Sequence, residues 1–398
     1  MRIGMLADLY KPHISGVTNY IALNKRQLEE LGHEVYIFTF GGEGIDDEPN
    51  VIRSPGVPIT KGFYFSLRYN ARARRLVRSM DVVHVHHPFI SGSLALRYCR
   101  SRNIPIAFTC HTRYDLYLQA YVPLFSGLIG AAAVQAFLPA FCRMCDLVVS
   151  PSPGMREVLL GFGVDAPIEV VPNGVNIKPF QVDIEPMNGS QLGFQPDDVV
   201  FVYTGRLGPE KNLSFLLRSF AGTVQAYDHA CLLLVGDGPE RDNLQNLVRL
   251  MGIQERVHFT GLVPYSEMPR YLNLADVFVT ASITEVHPLS VIEGMAAGLP
   301  VLGINSPGVG DTIRDGETGF LVSQEDMAAF TANMVRLAVD RELRLKMGEK
   351  ARQESQSYAI ERTAQIMLDH YQRLASLAAG RERGFRSRFR RIVGKKTR

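Results

Sequence analysis

The feature that most constrains this chain is a repeated alternation of strand-length apolar runs with stretches of helical spacing, and the series occurs twice. The first series contains residues 2–8, Val35–Phe40, Val82–His86, Ile106–Thr109, Leu147–Ser150 and Ile168–Val171, each followed by a polar or Gly/Pro turn. After its first run, Val17, Tyr20, Ile21, Leu28 and Leu31 recur at helical spacing. The second series contains Val199–Thr204, Ala230–Val235, Arg256–Thr260, Val277–Thr280 and Leu299–Ile304. Helices are predicted between these runs at Leu213–Gln225, Arg241–Met251, Glu267–Ala275 and Pro288–Ala297. Such alternation predicts α/β architecture with two doubly wound, parallel sheets.

The length of 398 residues accommodates two domains with ample core. Periodicity lapses from Gln181 to Asp198, where Pro186, Asn188, Gly189, Ser190 and Pro196 gather. This places a linker at 181–197 between a domain over 1–180 and another over 198–356. A long helix over 357–379 is expected next, with Ile360, Ala364, Met367 or Leu368, and Tyr371 on one face. A basic tail over 380–398 closes the chain.

Several classes are disfavoured by what the chain lacks. The first strand–loop–helix unit has no G-x-G-x-x-G fingerprint, which weakens a dehydrogenase reading. With 46% apolar and 21% charged residues, disorder is not the default. Five cysteines, without a repeated metal-ligand spacing, fit a reducing cytoplasm. The single Cys142-Arg143-Met144-Cys145 pair reads as structural thiols. Met1 to Leu6 runs straight into a strand and shows no signal-peptide core.

Charge and apolarity are unevenly spread. Residues 380–398 hold nine Arg/Lys and one Glu, so the rest of a chain of net +3 is acidic. Within the tail, Phe385, Phe389, Ile392 and Val393 share a helical face among Arg386, Arg388, Arg390 and Arg391, a pattern suited to an anionic bilayer surface. No nucleic-acid-binding motif accompanies it. Between Glu48 and Asp81 there is no acid but there are Arg53, Lys61, Arg68, Arg72, Arg74, Arg75 and Arg78. Leu116 to Cys142 carries no charge, but strands predicted on either side of it belong to one sheet, which opposes a membrane crossing. A helix buried in the domain is preferred to one dipping into the membrane interface.

Two stretches of the second series carry chemistry. The turn Thr204 to Asn212 joins a strand to a helix and places Arg206 and Lys211 five residues apart at the carboxyl edge of the sheet, where they can hold a pyrophosphate. Glu285 and Glu293 flank the helix start at Pro288. Pro288 to Glu293 spans roughly 7–8 Å of helix axis, a separation suited to the two ends of a sugar-sized group. Fixed cations and helix N–H groups can stabilise such an anion as pyrophosphate. No D-x-D element is placed for metal binding.

With Gly16 in the opening loop, Val171-Pro172-Asn173-Gly174-Val175, Gly205-Arg206-Leu207, Glu210-Lys211-Asn212, Gly236-Asp237-Gly238-Pro239 and Glu285-x7-Glu293, the sequence resembles a retaining glycosyltransferase of family 4 over nearly its whole length. The resemblance implies the GT-B fold, in which two Rossmann-like domains face a central cleft, and a terminal helix that crosses back to the first domain. It implies that Arg206 and Lys211 hold the donor diphosphate, Glu293 the ribose and Glu285 the donor sugar. It also implies donor contacts at Gly16, at the backbone near Val263 and at the amides of Leu289 and Ser290, with His111 on the acceptor side.

Val85 to Gly92 and Phe108 to Tyr117 resemble the branch that glycosylates diacylglycerol. The expectation is therefore transfer of a hexose, glucose from UDP-glucose, to a lipid such as diacylglycerol by a cytoplasmic enzyme bound peripherally to the inner face of the cell membrane, without a cofactor, metal or nucleic acid. Alternatives are a mannosyl- or other hexosyltransferase acting on phosphatidylinositol or a polysaccharide intermediate, and a catalytically silent lipid- or nucleotide-binding subunit. Pro288 stands where that branch often has Gly, which leaves the hexose open. Asn176 replaces a common Asp and bears only on the linker turn.

Overall fold

The computed structural model describes residues 1–13, 15–41, 47–60, 63–116, 128–182, 184–324 and 326–394, and its two large sheets are wholly parallel. The first is built from β1 (Arg2–Leu6), β2 (Glu34–Phe40) and β3 (Val51–Ser54), then, after an antiparallel pair β4 (Val57–Thr60) and β5 (Phe63–Phe65), from β6 (Val82–Val85), β7 (Ile106–Thr109), β8 (Leu147–Ser150) and β9 (Ile168–Val170). Their order is β3-β2-β1-β6-β7-β8-β9. The second sheet uses β10 (Val199–Thr204), β11 (Ala230–Val235), β12 (Val257–Gly261), β13 (Val277–Thr280), β14 (Val301–Ile304) and β15 (Gly319–Val322), in the order β12-β11-β10-β13-β14-β15. Winding therefore reverses between β1 and β6 and again between β10 and β13. The loops leaving those strands open the crevices where ligands of doubly wound sheets bind.

The helices that matter below are α1 (Gly16–Glu30), α2 (Ala71–Val77), α3 (Ile90–Cys99), α4 (Leu128–Cys142), α5 (Pro153–Gly161), α6 (Leu213–Ala226), α7 (Arg241–Leu250), α8 (Met268–Leu274), α9 (Leu289–Ala296), α10 (Pro307–Thr312), α11 (Met327–Val339), α12 (Arg341–Ser355) and α13 (Ile360–Gly394). Side-chain alternation along buried strands makes two apolar layers per domain. Leu6, Phe38 and Phe40 face the layer that holds Phe108 and, on α4, Leu138 and Phe141. Ile3, Met5, Val35 and Ile37 face the opposite layer, with Tyr20, Ile21 and Leu28 of α1 and with Met367, Leu368, Tyr371 and Leu374 of α13. The last helix thus returns from the second domain and completes the core of the first.

Several elements depart from the sequence expectations. The short β3 and β15 and the β4–β5 pair have no counterpart in the apolar runs read from sequence. Pro288 keeps ψ at 110° and acts as the N-cap, so α9 starts one residue later than predicted. Gly298, at φ +85°, and Pro300 delay β14 to Val301. After a 3-10 turn at Gln356–Tyr358, α13 continues through Gly380 to Gly394 instead of ending near residue 379. The side chains proposed to form the basic amphipathic face, 381–394, and residues 395–398 lie outside the described set, as does Lys61.

Of the uncharged segment, residues 117–127 also lie outside the described set. The remainder includes α4, which buries Val134, Leu138, Phe141 and Cys142 in the first domain. Among the described residues, no helix is long and apolar enough to cross a membrane. Cys142 and Cys145 are free thiols, and burial pushes the Cys142 thiol up to about 12.

Packing of α13 is directly testable. Leu368→Ala, which empties a fully packed site, is expected to cost about 2–5 kcal/mol in urea unfolding. Leu345→Ala, at a side chain exposed on α12, should change stability by less than about 0.5 kcal/mol. Equal effects would contradict the assignment of α13 to the core.

Candidate active site

At the second domain's switch point, backbone conformation fixes the cationic turn. Gly236 has φ +140°, and a Cβ there would stand 1.9 Å from the carbonyl oxygen of Gly205, so β10 and β11 can approach only with glycine at this point. The Leu207 N–H donates to the Asp237 carbonyl at 3.0 Å, and Tyr203 Oη donates to the Arg206 carbonyl at 3.0 Å. A 3-10 turn at Pro209–Lys211 follows, and the hydroxyls of Ser282 and Thr284 donate to the Glu210 carbonyl at 3.4 Å. These contacts tie the turn to the loop after β13.

The same two loops are joined by an ion pair. Lys211 Nζ lies 2.5 Å from Glu285 Oε1, with both side chains mostly buried. Burial works against the Lys211 ammonium, but Glu285, helped by Glu210, outweighs it and holds the pKa above the ordinary lysine value. Lys211 and Glu285, which the sequence reading assigns to different parts of the donor, are therefore partners in this structure.

Glu293 lies in α9 and is 8% exposed. Burial raises its pKa to about 7, and the hydroxyl of Tyr265, which donates to Oε1 at 2.8 Å, only partly opposes that rise. A Cβ on Gly294 would fall 2.6 Å from the Phe278 ring, so α9 sits close against β13. Leu289 and Ser290 occupy the first turn of α9, whose N–H groups have no intrahelical acceptors. Both are half-buried, as is Val263 just beyond β12.

The first domain supplies the facing wall. Gly16 opens α1 behind the capping residue Ser15, and a Cβ added there would meet no protein atom. His13, in the preceding loop, has its pKa lowered by burial and by the positive charge of Arg206. His111 follows the end of β7, half-buried, with Nε2 3.0 Å from His86 Nδ1. Burial, reinforced by His84 and His87, holds its pKa well below the ordinary histidine value.

The domains meet beside this cleft. The side-chain amide of Asn173 donates to the His287 carbonyl at 3.1 Å, and the Gly154 N–H at the start of α5 donates to Asp311 of α10 at 2.6 Å. Val286 packs into the first domain's core. The loop that carries Glu285 is thereby held from both sides.

Among the predicted site residues, the structure brings Lys211 and Glu285 into contact, sets Glu293 on the helix that follows Glu285, and leaves Arg206 within electrostatic reach of His13 in the first domain. His111 stands on the opposite wall. Sequence reasoning missed His86, His13, Asn173 and Tyr265 as partners. His86 and Asn173 sit in strand-end segments already singled out, whereas nothing in its sequence neighbourhood distinguishes Tyr265. Among the described residues, no group of three or more His, Cys, Asp or Glu side chains is placed to hold a metal ion.

Matches to known families cover both domains. Residues 14–178 match the family described as Glycosyltransferase Family 4, and residues 187–354 match Glycosyl transferases group 1. The alpha-monoglucosyldiacylglycerol synthase of Acholeplasma laidlawii is 30% identical over 82% of this chain and 86% of its own length. The enzyme of that name from Streptococcus pneumoniae is 31% identical over 82% of this chain and 77% of its own length. In structure, sucrose-phosphate synthase from Thermosynechococcus elongatus superposes with a TM-score of 0.77 at 21% identity, covering 94% of this chain and 99% of that one, and shows that the fold is GT-B.

The buried carboxyl of Glu293 links stability to pH. Its folded pKa of about 7 exceeds the ordinary value of roughly 4.3, so the stability it contributes is complete below the ordinary carboxyl range and is lost as pH rises through about 7. Glu293→Gln should therefore raise the Tm of the ligand-free protein at pH 8 and leave it nearly unchanged at pH 4. A shift of equal size at both pH values would contradict the burial argument.

Proposed function

This chain belongs to glycosyltransferase family 4, and from that premise we propose that it moves glucose from UDP-glucose to diacylglycerol with retention of anomeric configuration. The observation that carries the reading is the Lys211–Glu285 pair beside buried Glu293, opposite the uncharged His111. Arg206, Lys211 and the first-turn N–H groups of α9 hold the diphosphate and take up the negative charge released when the anomeric C–O bond breaks. Glu293 accepts hydrogen bonds from the ribose hydroxyls, which favours its ionised form. Glu285 holds the donor sugar while keeping Lys211 in place, the backbone at Val263 borders the base, and Gly16 leaves space at the start of α1. His111 meets the acceptor hydroxyl. With these fixed charges the reaction needs neither metal nor cofactor.

The lipid acceptor is supported by the names of the two relatives and by the surface of the first domain. The β4–β5 pair and the residues after it expose Val57 (68%), Ile59 (62%), Phe65 (44%) and Leu67 (71%). Arg68, Arg72 and Arg75 are exposed next to them in sequence. Apolar side chains flanked by cations suit an anionic bilayer, where the enzyme acts peripherally on the inner face of the cell membrane.

Incubation of UDP-[14C]glucose with vesicles containing diacylglycerol should yield a labelled monoglucosyl lipid, and chelator should leave the yield unchanged. Transfer only from GDP-mannose, only to phosphatidylinositol, or to no lipid at all would overturn the reading. Lys211→Ala and Glu293→Ala should each weaken UDP-glucose binding about 10- to 100-fold, the worth of one hydrogen bond to a charged group. Unchanged affinity in both would remove the pocket assignment. The double variant Phe65→Glu, Leu67→Glu should lower co-sedimentation with anionic vesicles at low salt while binding to UDP-glucose persists; undiminished sedimentation would take the β4–β5 region out of the membrane contact.

A further inference from the structure

Behind His111 lies a set of buried rings that the proposed transfer does not use. His84 stands 2.6 Å from the hydroxyl of Tyr371 on α13 through Nδ1 and 2.7 Å from Thr109 Oγ1 through Nε2. The hydroxyl of Tyr20 lies near Thr109. The Tyr20 ring packs against His111 with centroids 4.7 Å apart, and the His86 and His111 rings meet edge to edge, tilted by 28° with centroids 5.3 Å apart. His111 thus packs against two rings, Tyr20 and His86, that also touch each other with centroids 5.7 Å apart.

We propose that His86 is a positioning residue that fixes His111 as the Nδ1–H tautomer, so that His111 offers the acceptor a hydrogen-bond donor and not a base. Burial is the largest influence on both imidazoles and holds both neutral. Two neutral rings joined through His86 Nδ1 and His111 Nε2 at 3.0 Å share one proton between those atoms, and two arrangements satisfy that condition.

The remaining nitrogen of His86 decides between them. His86 Nε2 is buried and has no hydrogen-bond partner among the described residues. If His86 Nδ1 were the acceptor, the ring's proton would sit on Nε2 as an orphaned buried N–H, at the full desolvation cost of an unpaired donor. If His86 Nδ1–H donates, only a lone pair goes unmatched. His111 Nε2 then accepts, and the His111 proton resides on Nδ1, for which the described residues supply no partner. A ligand in the cleft meets an N–H.

The consequence for the reaction rests on the reading of sugar transfer. With its lone pair committed to His86, His111 cannot take the proton of the acceptor hydroxyl as the new C–O bond forms. That proton passes to an oxygen of the departing diphosphate, while His111 Nδ1–H orients the acceptor oxygen by donating to a lone pair not used in the attack. Atoms and charge balance without a protein base.

The test begins with the substrate-free full chain, labelled with 15N-histidine, in a long-range 15N–1H correlation spectrum, with the His111 signals assigned by their loss in His111→Gln. The wild type should show His111 neutral and protonated on Nδ1; protonation on Nε2, or an even mixture, would overturn the proposal. This readout is independent of any activity, so it stands or falls separately from the assigned reaction. In His86→Phe, which keeps an aromatic ring, His111 should lose its single tautomer, and kcat should fall about 10- to 100-fold with KM for UDP-glucose within about twofold. An unchanged tautomer in that variant would also overturn it. Finally, His111→Asn, whose amide N–H can take the place of Nδ1–H, should retain more turnover than His111→Gln, whose amide reaches the Nε2 position; the reverse order counts against donation from Nδ1.

Discussion

The ion pair between Lys211 and Glu285 is the contact on which the cleft depends. Each charge is mostly withdrawn from water, and removing either partner would strand the other in a poorly solvated position. The pair fastens the loop after β10 to the loop after β13, across the point where the second sheet reverses its winding. Glu285 is followed by Val286, which packs into the first domain, and by His287, whose carbonyl accepts from Asn173. One electrostatic contact therefore sets the position of the donor loop, and two neighbouring residues carry that position to the other domain. In the proposed transfer, a nucleotide-sugar arriving at this place would meet Lys211 already oriented, so little reorganisation is needed as charge develops on the leaving group.

The two walls of the cleft differ in kind. The second domain gathers Arg206, Lys211, Glu285 and Glu293, groups that suit a diphosphate and sugar hydroxyls. The first presents His111, His86 and His84, all held neutral mainly by burial, around Tyr20 and Tyr371. A charged donor and an uncharged hydroxyl acceptor call for this division. Because α13 supplies Tyr371 to His84, the chain's last helix is tied to the histidine-bearing wall as well as to the core.

The fold was legible where physics leaves a strong trace. Val199–Thr204 and Ala230–Val235 are buried along their whole length, and such strands read as continuous apolar runs. Val51–Ser54 and Gly319–Val322 were not, because four residues that include Arg53 or begin with glycine give no run to detect. The β4–β5 pair was hidden for the opposite reason: Val57, Ile59 and Phe65 face solvent. Of the site, the charged elements were legible through residue type and strand-end location. Their pairings were not, since nothing in the spacing of Lys211 and Glu285 or of Tyr265 and Glu293 announces contact across 74 or 28 residues. Likewise His86 and His111 each mark a strand end, but only adjacency of β6 and β7 in the sheet brings their rings together.

The central claim is that the second domain's switch point receives the donor, and a crystal structure of the protein with UDP-glucose tests it most directly. The account predicts the diphosphate against Arg206, Lys211 and the first turn of α9, the ribose hydroxyls on Glu293 in place of the Tyr265 hydroxyl, and the glucose between Glu285 and His111. A nucleotide seated in the first domain, or one whose diphosphate touches neither cation, would contradict it.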